Sequence, residues 1–586
     1  MKLRFSNISP PLNLIYCFWP RSDWETMVDH QRMVWFNVVT LVVYLFSVCA
    51  VKAQSNEDFV QCLFSKFPNI TTHLYNKTSS EFRPLYQSMQ QNTRWLDDSA
   101  APVFILTPFS ESEIQAAVAC SQSNGVKLRI KSGGHDYEGL SFRSSTSSPF
   151  VIIDMSQLRD VRVDVANEVA WVGAGATIGE LYYAIAKESS VHGFPAGTAP
   201  SVGVGGQFSG GGFGWLVRKY GLAADNVLDA RIVDASGRLL DRGKMGEDLF
   251  WAIRGAGGGS FGIITSWKIK LVQVPPIMTT FTKHKLLTEN ATALLDEWQT
   301  IAPKLPNNLV IRILARLQNK NGEKSVKISF NSLFQGAKSD LMSIMNEKFP
   351  SLGLMESDCF EMPWANTSLL YWGAKQGNEY PLEDILNRTD RLVGTYKGKS
   401  DFVRTPIPTS AFQGIWNLFT EESGLMIFEP FGGKMDEFSE TDLPFPYRNG
   451  TLYNMQYLVH WQNNDQEQGQ RSVEWINKMY KYMTPFVTSN PRGAYVNYRD
   501  LDLGMNQPQG KSNYDEAKVW GEKYFGNNFK KLCSLKHRVD PQDFFSYEQS
   551  IPPVSSESEQ ATVMTSKLPP IEAMRAPPTK WYSGWS

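Results

Sequence analysis

The sequence predicts an α+β fold spread over more than one domain. Helix-capping and hairpin signals are interspersed without a regular strand–helix repeat, which argues against a doubly wound sheet. A proline pair, Pro275-Pro276, closes an alternating run, and 586 residues exceed what one small core needs. A first domain is expected over 54–277, and a second over 278–475 with an antiparallel sheet and helices. Residues 476–552 form a further segment rich in aromatic and turn residues, and 553–586 a Ser/Pro-rich tail expected to be disordered. Lys and Arg number 58 against 59 Asp and Glu, with no basic block, which excludes nucleic acid as a partner. Seventeen Trp and 22 Tyr point to buried aromatic surface, as core packing or as the wall of a pocket.

Residues 1–53 read as an N-terminal extension and signal peptide. Val34 to Val51 are nearly all apolar, flanked by Arg32 and Lys52, and Val51-Lys52-Ala53 fits a cleavage site before Gln54. A transmembrane anchor is the alternative, but the run is short and broken by Asn37 and Thr40, so no stable anchor is expected. Met27 and Met33 are alternative starts that would bring the apolar run to the chain's beginning. The expected destination is extracellular or the cell wall, with the vacuole as an alternative. Sequons at Asn69, Asn76, Asn290, Asn366, Asn387 and Asn449 agree with the secretory route as glycosylation sites. Cys17 and Cys49 fall within the removed region; Cys62, Cys120, Cys359 and Cys533 remain, and spacing alone leaves three complete pairings open. No Cys-x-x-Cys or His-x-x-x-His pair supports a metal site.

Ser110-Glu111-Ser112-Glu113 is a capping-box pattern opening a helix to about Ser123, with Asn124-Gly125 as its stop. Val126 to Lys131 alternates apolar and basic residues, which predicts a strand. A strand over Glu168 to Val172 is followed by a second capping box, Thr177-Ile178-Gly179-Glu180, and a helix over Leu181 to Lys187. Arg231 to Asp241 reads as a hairpin around Ala235-Ser236-Gly237, and Ile263 to Leu271 as a strand.

Three glycine-rich stretches carry the functional content. In Lys131-Ser132-Gly133-Gly134-His135-Asp136-Tyr137-Glu138-Gly139, a strand delivers uncrowded backbone N–H groups, a place for a phosphate, and then a histidine. The stretch from Phe194 to Gly214 has eight glycines between Gly197 and Gly214 and no charge there, unlike a solvated linker; it fits backbone packed on a large planar or phosphorylated ligand. The third, Gly255 to Gly262, contains a formal G-x-G-x-x-G at Gly257, Gly259 and Gly262, but it opens a strand where a dinucleotide fingerprint opens a helix. The Gly-Lys-Ser triplets at Gly398 and Gly510 lack the preceding glycine of a P-loop.

Ser132-Gly133-Gly134-His135-Asp136, the Val202 to Gly214 stretch, Gly221-Leu222-Ala223-Ala224-Asp225-Asn226 and Asn497-Tyr498-Arg499-Asp500-Leu501-Asp502 together resemble plant berberine bridge enzyme-like flavoproteins, the group that includes the cannabinoid synthases. The resemblance runs in order from about Ser55 to Pro553. It implies an FAD-binding domain of the vanillyl-alcohol-oxidase type, a separate substrate domain, a return of the C-terminal segment to the FAD domain, and a disulfide between Cys62 and Cys120. It also implies FAD contacts by Ser132, Gly133, Gly134, His135, Asp136, Ala199, Val202, Gly203, Gly206, Gln207, Gly210, Gly211, Asp225, Asn226, Gly262, Ile263 and Asn497.

In that family the histidine matching His135 is bonded covalently to the flavin, and most members add a bond from a cysteine whose position here is Ala199. Alanine has no nucleophile, so a single link through His135 is expected. The resemblance makes Tyr498 the base that takes a hydroxyl proton, with Gln456 and Tyr137 beside it. A tyrosine base needs a nearby cation or donor, and the related lysine is Asn454 here; a further family tyrosine is Phe213. Alternation over Leu452 to His460 places Asn454, Gln456 and His460 on one face, lining a substrate pocket or facing solvent. Val202 matches valines in members that react readily with oxygen. The expected activity is a covalent-flavin oxidase of a carbohydrate, oligosaccharide or phenylpropanoid alcohol, with molecular oxygen giving hydrogen peroxide. An oxidative cyclase of alkaloid-type metabolism and a flavin-binding protein of low turnover are the alternatives.

Overall fold

Strand pairing sorts the described residues into four sheets. The computed structural model describes residue 37 and residues 56–554, apart from 96–100, 146–147, 321–322, 373–380, 390–393, 423, 463–464 and 508–512. The expected signal peptide and the tail beyond 554 lie outside the described residues. The chain divides into a unit 1–58 and a unit 59–586, and the sheets, the cores and the cavity belong to the second.

The first sheet orders Leu74–Asn76, Phe104–Leu106, Phe150–Asp154 and Lys127–Lys131. Its last three strands are parallel, a pairing that needs a crossover, and the helix Glu111–Asn124 supplies one. The second sheet is antiparallel and orders Val161–Asp164, Val169–Gly173, Ile263–Lys270, Val227–Val233 and Leu239–Leu240. Val272–Gln273 pairs with His192–Gly193 just before the proline pair. The fourth sheet has seven antiparallel strands, ordered Cys359–Met362, Met278–Leu286, Glu323–Phe334, Leu309–Lys320, Gly424–Pro430, Tyr453–Trp461 and Thr395–Val403. Helix and sheet are thus mixed as an α+β fold.

Local signals act as their chemistry requires. Thr177 and Glu180 form both halves of a capping box at the start of Ile178–Glu188. Ser110 accepts from the Glu113 N–H at 3.3 Å, but Glu113 turns to the Phe109 N–H at 2.7 Å, so that box is closed one residue earlier than expected. Gly125 ends the helix at φ 65°, a left-handed conformation that glycine takes without a Cβ penalty. The hairpin pairs Ile232 with Leu240.

Two large cores fill the fold. One joins Phe59, Val151, Phe208 and Trp267 to Trp520, Phe529 and Ile551 from the C-terminal segment. The other packs Trp298, Phe330, Trp416, Tyr453 and Trp475 against one face of the seven-stranded sheet. Cys62 and Cys120 are disulfide-bonded with Cα atoms 5.7 Å apart, while Cys359 and Cys533 are buried free thiols. Among the described residues no helix is long and apolar enough to cross a membrane. Closing 58 residues of sequence constrains the unfolded chain, so Cys120→Ser should lower the unfolding free energy by about 2–4 kcal/mol in urea titration.

Candidate functional site

The glycine loops, the seven-stranded sheet and the C-terminal segment enclose one cavity of about 440 Å³. Two glycine-rich stretches form its floor by direct backbone contact: a side chain at Gly133 would collide with the backbone of Gly203, and one at Gly203 with Gly133. Gly134 sits at φ 73°, which turns the chain immediately before His135. Ser132 Oγ donates to the Ala174 carbonyl at 2.6 Å and anchors the turn on the second sheet. A Cβ at Gly206 would meet nothing within 4 Å, so that glycine leaves the cavity open.

His135 is half-buried on this floor and lines the cavity. Burial pushes its pKa down to about 4, against a hydrogen bond to the Ser201 backbone that acts the other way, with Lys131 depressing it further. The imidazole is therefore neutral at ordinary pH, with a lone pair available for bonding. Asp136 holds the loop, accepting from Glu138 N at 2.9 Å and Leu140 N at 3.1 Å and facing Arg499 Nε at 3.4 Å.

Tyr137 and Tyr498 stack nearly parallel, with centroids 5.7 Å apart and planes 9° apart. Gln456 Nε2 donates to the Tyr137 hydroxyl, and Gly398 leaves room for the ring, since a Cβ there would meet it at 2.6 Å. Phe213 stands 6.1 Å from Tyr498 and 4.8 Å from Tyr495. Burial raises the Tyr498 pKa well above its usual value; Tyr137, Glu429 and Tyr495 add to the rise and Arg312 opposes it.

The structure brings Ser132, Gly133, Gly134, His135, Asp136, Tyr137, Ala199, Val202, Gly203, Gly206, Gln207, Gly262, Gln456, Asn497 and Tyr498 to this cavity. Gly210, Gly211, Asp225, Asn226 and Ile263 are not on its wall and serve its support. Asp225 pairs with Arg448 through two contacts of 2.8 Å, and Asn226 donates to the Tyr220 and Leu222 carbonyls. Gly210 packs on Asn497, Gly211 on Leu222, and Ile263 pairs with Val233 in the second sheet. The face of Tyr453–Trp461 opposite the core is likewise split: Gln456 and His460 line the cavity, whereas Asn454 is buried and donates to the Asp401 carbonyl at 3.0 Å.

Sequence reasoning missed the far wall. Arg312, Asn331, Tyr396, Glu429 and Leu314 come from strands of the seven-stranded sheet. Arg312 Nε meets Glu429 Oε1 at 2.8 Å, and Asn331 Oδ1 is buried with no hydrogen-bond partner. It also missed a buried ion cluster behind the tyrosines. Lys397 contacts Glu138 and lies 2.7 Å from Asp500, and Lys399 lies 2.8 Å from Asp500 and 2.6 Å from Asp502.

Residues 102–243 match a family model described as an FAD binding domain, and 494–552 one described as berberine and berberine like. Berberine bridge enzyme-like 23 of Arabidopsis thaliana is 50% identical over 511 residues, covering 85% of this chain and 94% of that protein. The chain belongs to the berberine bridge enzyme-like family. It is accordingly an FAD-dependent oxidoreductase with the vanillyl-alcohol-oxidase fold. Wild-type Phl p 4.0202, described as a glucose dehydrogenase, and a variant of Phl p 4 with isoleucine replaced by valine, described as a glucose oxidase, are each similar at TM-score 0.81 and 42% identity, over 85% of this chain and 100% of theirs. A cysteine-to-alanine variant of berberine bridge enzyme is similar at TM-score 0.79 and 37% identity, over 85% of this chain and 100% of that one.

The residues present fit FAD. The cavity floor is glycine backbone, and two of its lining groups, Ser141 Oγ and Gln207 Oε1, are buried oxygens with no protein partner, as a polar ligand requires. An unfolded histidine titrates near 6.5, so on acidification the unfolded chain takes up a proton that folded His135 refuses. Flavin-free protein should therefore lose about 3 kcal/mol of stability as pH falls from about 6.5 to about 4. Urea titrations across that range should show the slope in wild type and its loss in His135→Gln.

Proposed function

We propose that this chain is a secreted oxidase that carries FAD on His135 alone and oxidises a hydroxyl-bearing substrate, a carbohydrate or a phenylpropanoid alcohol, with molecular oxygen as acceptor and hydrogen peroxide as product. The observation that carries the reading is the stacked Tyr137–Tyr498 pair, tied to Gln456, in the same cavity as the neutral His135. Bound FAD supplies the acceptor for a hydride from the substrate carbon.

The chain's own groups do the rest. Tyr498 and Tyr137 present hydroxyls to the reacting oxygen, and Gln456 fixes the orientation of Tyr137. The glycine floor, the Tyr396 ring and the apolar Leu314, Leu425, Ile427 and Leu458 keep bulk water from the reacting carbon. Ala199 lines the cavity without a nucleophile, which supports one covalent link; the solved cysteine-to-alanine variant of berberine bridge enzyme shows that the fold accommodates alanine in place of a cysteine. Val202 also lines the cavity, and the isoleucine-to-valine change that separates the Phl p 4 dehydrogenase from its oxidase variant favours oxygen as acceptor here.

Secretion rests on the apolar run before Gln54, with 54–277 and 476–552 as the FAD domain and 278–475 as the substrate domain. Of the six sequon asparagines, Asn69, Asn290, Asn387 and Asn449 are exposed and Asn76 and Asn366 half-buried, which leaves the first four open to glycosylation.

Acid precipitation should leave yellow colour on the His135 peptide of the wild type and none on His135→Ala protein; flavin on any other peptide refutes the single link. Val202→Ile adds a methylene at the proposed oxygen path. Reoxidation of the reduced flavin in aerated buffer, followed by stopped flow, should slow by about tenfold or more. Equal rates in the two proteins would remove Val202 from the oxygen path.

A further inference from the structure

The stacked tyrosines pose a chemical problem. Tyr498 is half-buried, its ring neighbours Tyr137 and Tyr495 supply no positive charge, and the lysine of related alcohol oxidases is replaced by Asn454, whose amide is committed to the Asp401 carbonyl. Arg312 favours a phenolate at Tyr498, but burial, Tyr137, Glu429 and Tyr495 outweigh it, which disfavours Tyr498 as a proton acceptor. The sheet places an acid where the cation is missing. Glu429 is the register partner of Asn454 on the adjoining strand, and Arg312 is the register partner of Asn331. The Arg312–Glu429 ion pair joins these, so that Asn331, Arg312, Glu429 and Asn454 make a polar row across four neighbouring strands, on the face opposite the core. Arg312, Asn331 and Glu429 open onto the cavity with Tyr498.

We propose that Glu429 is the base of this site: its carboxylate takes the proton of the substrate hydroxyl, and Tyr498 serves as a hydrogen-bonding hydroxyl. The inference rests on the reading that the substrate carries a hydroxyl. In the step, the substrate C–H bond breaks with its electron pair leaving as hydride to FAD, the O–H bond breaks with its proton going to Glu429, and a carbon–oxygen double bond forms. Burial and Arg312 set the proton affinity of Glu429. Burial raises it above the usual carboxylate range, and Arg312, from the strand Leu309–Lys320 and 2.8 Å away, opposes that rise. Tyr498, from the C-terminal segment, is close enough that the Glu429 charge raises the phenol's own pKa.

The test uses flavin-loaded protein, with anaerobic bleaching by glucose, cellobiose and coniferyl alcohol as probes and infrared difference spectra of the carboxyl stretch as an independent readout. Glu429→Gln should retain flavin content and visible spectrum yet reduce bleaching by about 10²–10⁴-fold, and should lose the acidic limb of the rate–pH profile. Glu429→Asp should restore part of the rate together with the limb. In the infrared, wild type should show a carboxyl band that appears on acidification, is absent from Glu429→Gln, and appears at higher pH in Arg312→Met. Bleaching of Glu429→Gln at the wild-type rate, or a Glu429 carboxyl already protonated at neutral pH, overturns the proposal. If no probe bleaches the wild type, the alcohol-oxidase reading fails on that result, and the infrared titration still decides whether Glu429 is the ionised group the site requires.

Discussion

Lys397 is a buried ammonium on which three separated parts of the chain converge. Glu138 comes from the histidine loop, Asp500 from the C-terminal segment, and Lys397 with its neighbour Lys399 from a central position in sequence within the large sheet. Burial penalises the charged form of Glu138, and Lys397 and Arg94 oppose that penalty; burial likewise disfavours the Lys397 charge, which Asp500 and Glu138 sustain. Such a cluster gives little net stability over an apolar equivalent, but removing one member leaves an uncompensated charge in low dielectric. Its value is geometric. Glu138 adjoins Tyr137, and Asp500 lies two residues beyond Tyr498, so the ions that meet at Lys397 also fix where the two rings stack.

The elements read correctly from sequence are those whose physics is local. Lys127–Lys131 alternates, Thr177 and Glu180 cap within one turn, and Gly125 must take a left-handed conformation whatever surrounds it. The glycine stretches were legible because a run without charge or side chains has few uses apart from close packing. The Arg312–Glu429 row was not, because its members lie on four strands and only register makes them neighbours. Lys397 and Lys399 share one face of their strand as solvent-facing lysines do, and only the partners from distant segments make their burial tolerable. Asp225 and Asn226 belong to a motif, yet they act on Arg448 and the local backbone, a support role that a motif alone does not separate from ligand contact.

The strand Tyr453–Trp461 shows why alternation gave half an answer. Tyr453, Met455, Tyr457 and Val459 fill the core on one face, as a period of two requires. The other face is also buried at its start, with Gln456 and Leu458 against the cavity, so polar residues there mark an interior ligand surface, not a wet one. Both faces of the sheet being covered explains how a lysine, an aspartate and a glutamate sit on strands whose exposure is close to that of the core.

The two free thiols among the described residues, Cys359 and Cys533, bear on the peroxide that the proposed oxidase would release. Hydrogen peroxide attacks thiolate far faster than thiol. Burial pushes the Cys359 thiol up to about 11 and raises that of Cys533 further, while the remaining described pair is already oxidised to a disulfide. The cysteine sulfur of the described residues is thus chemically quiet, and on the proposed oxidase reading it leaves hydrogen peroxide no thiolate to consume.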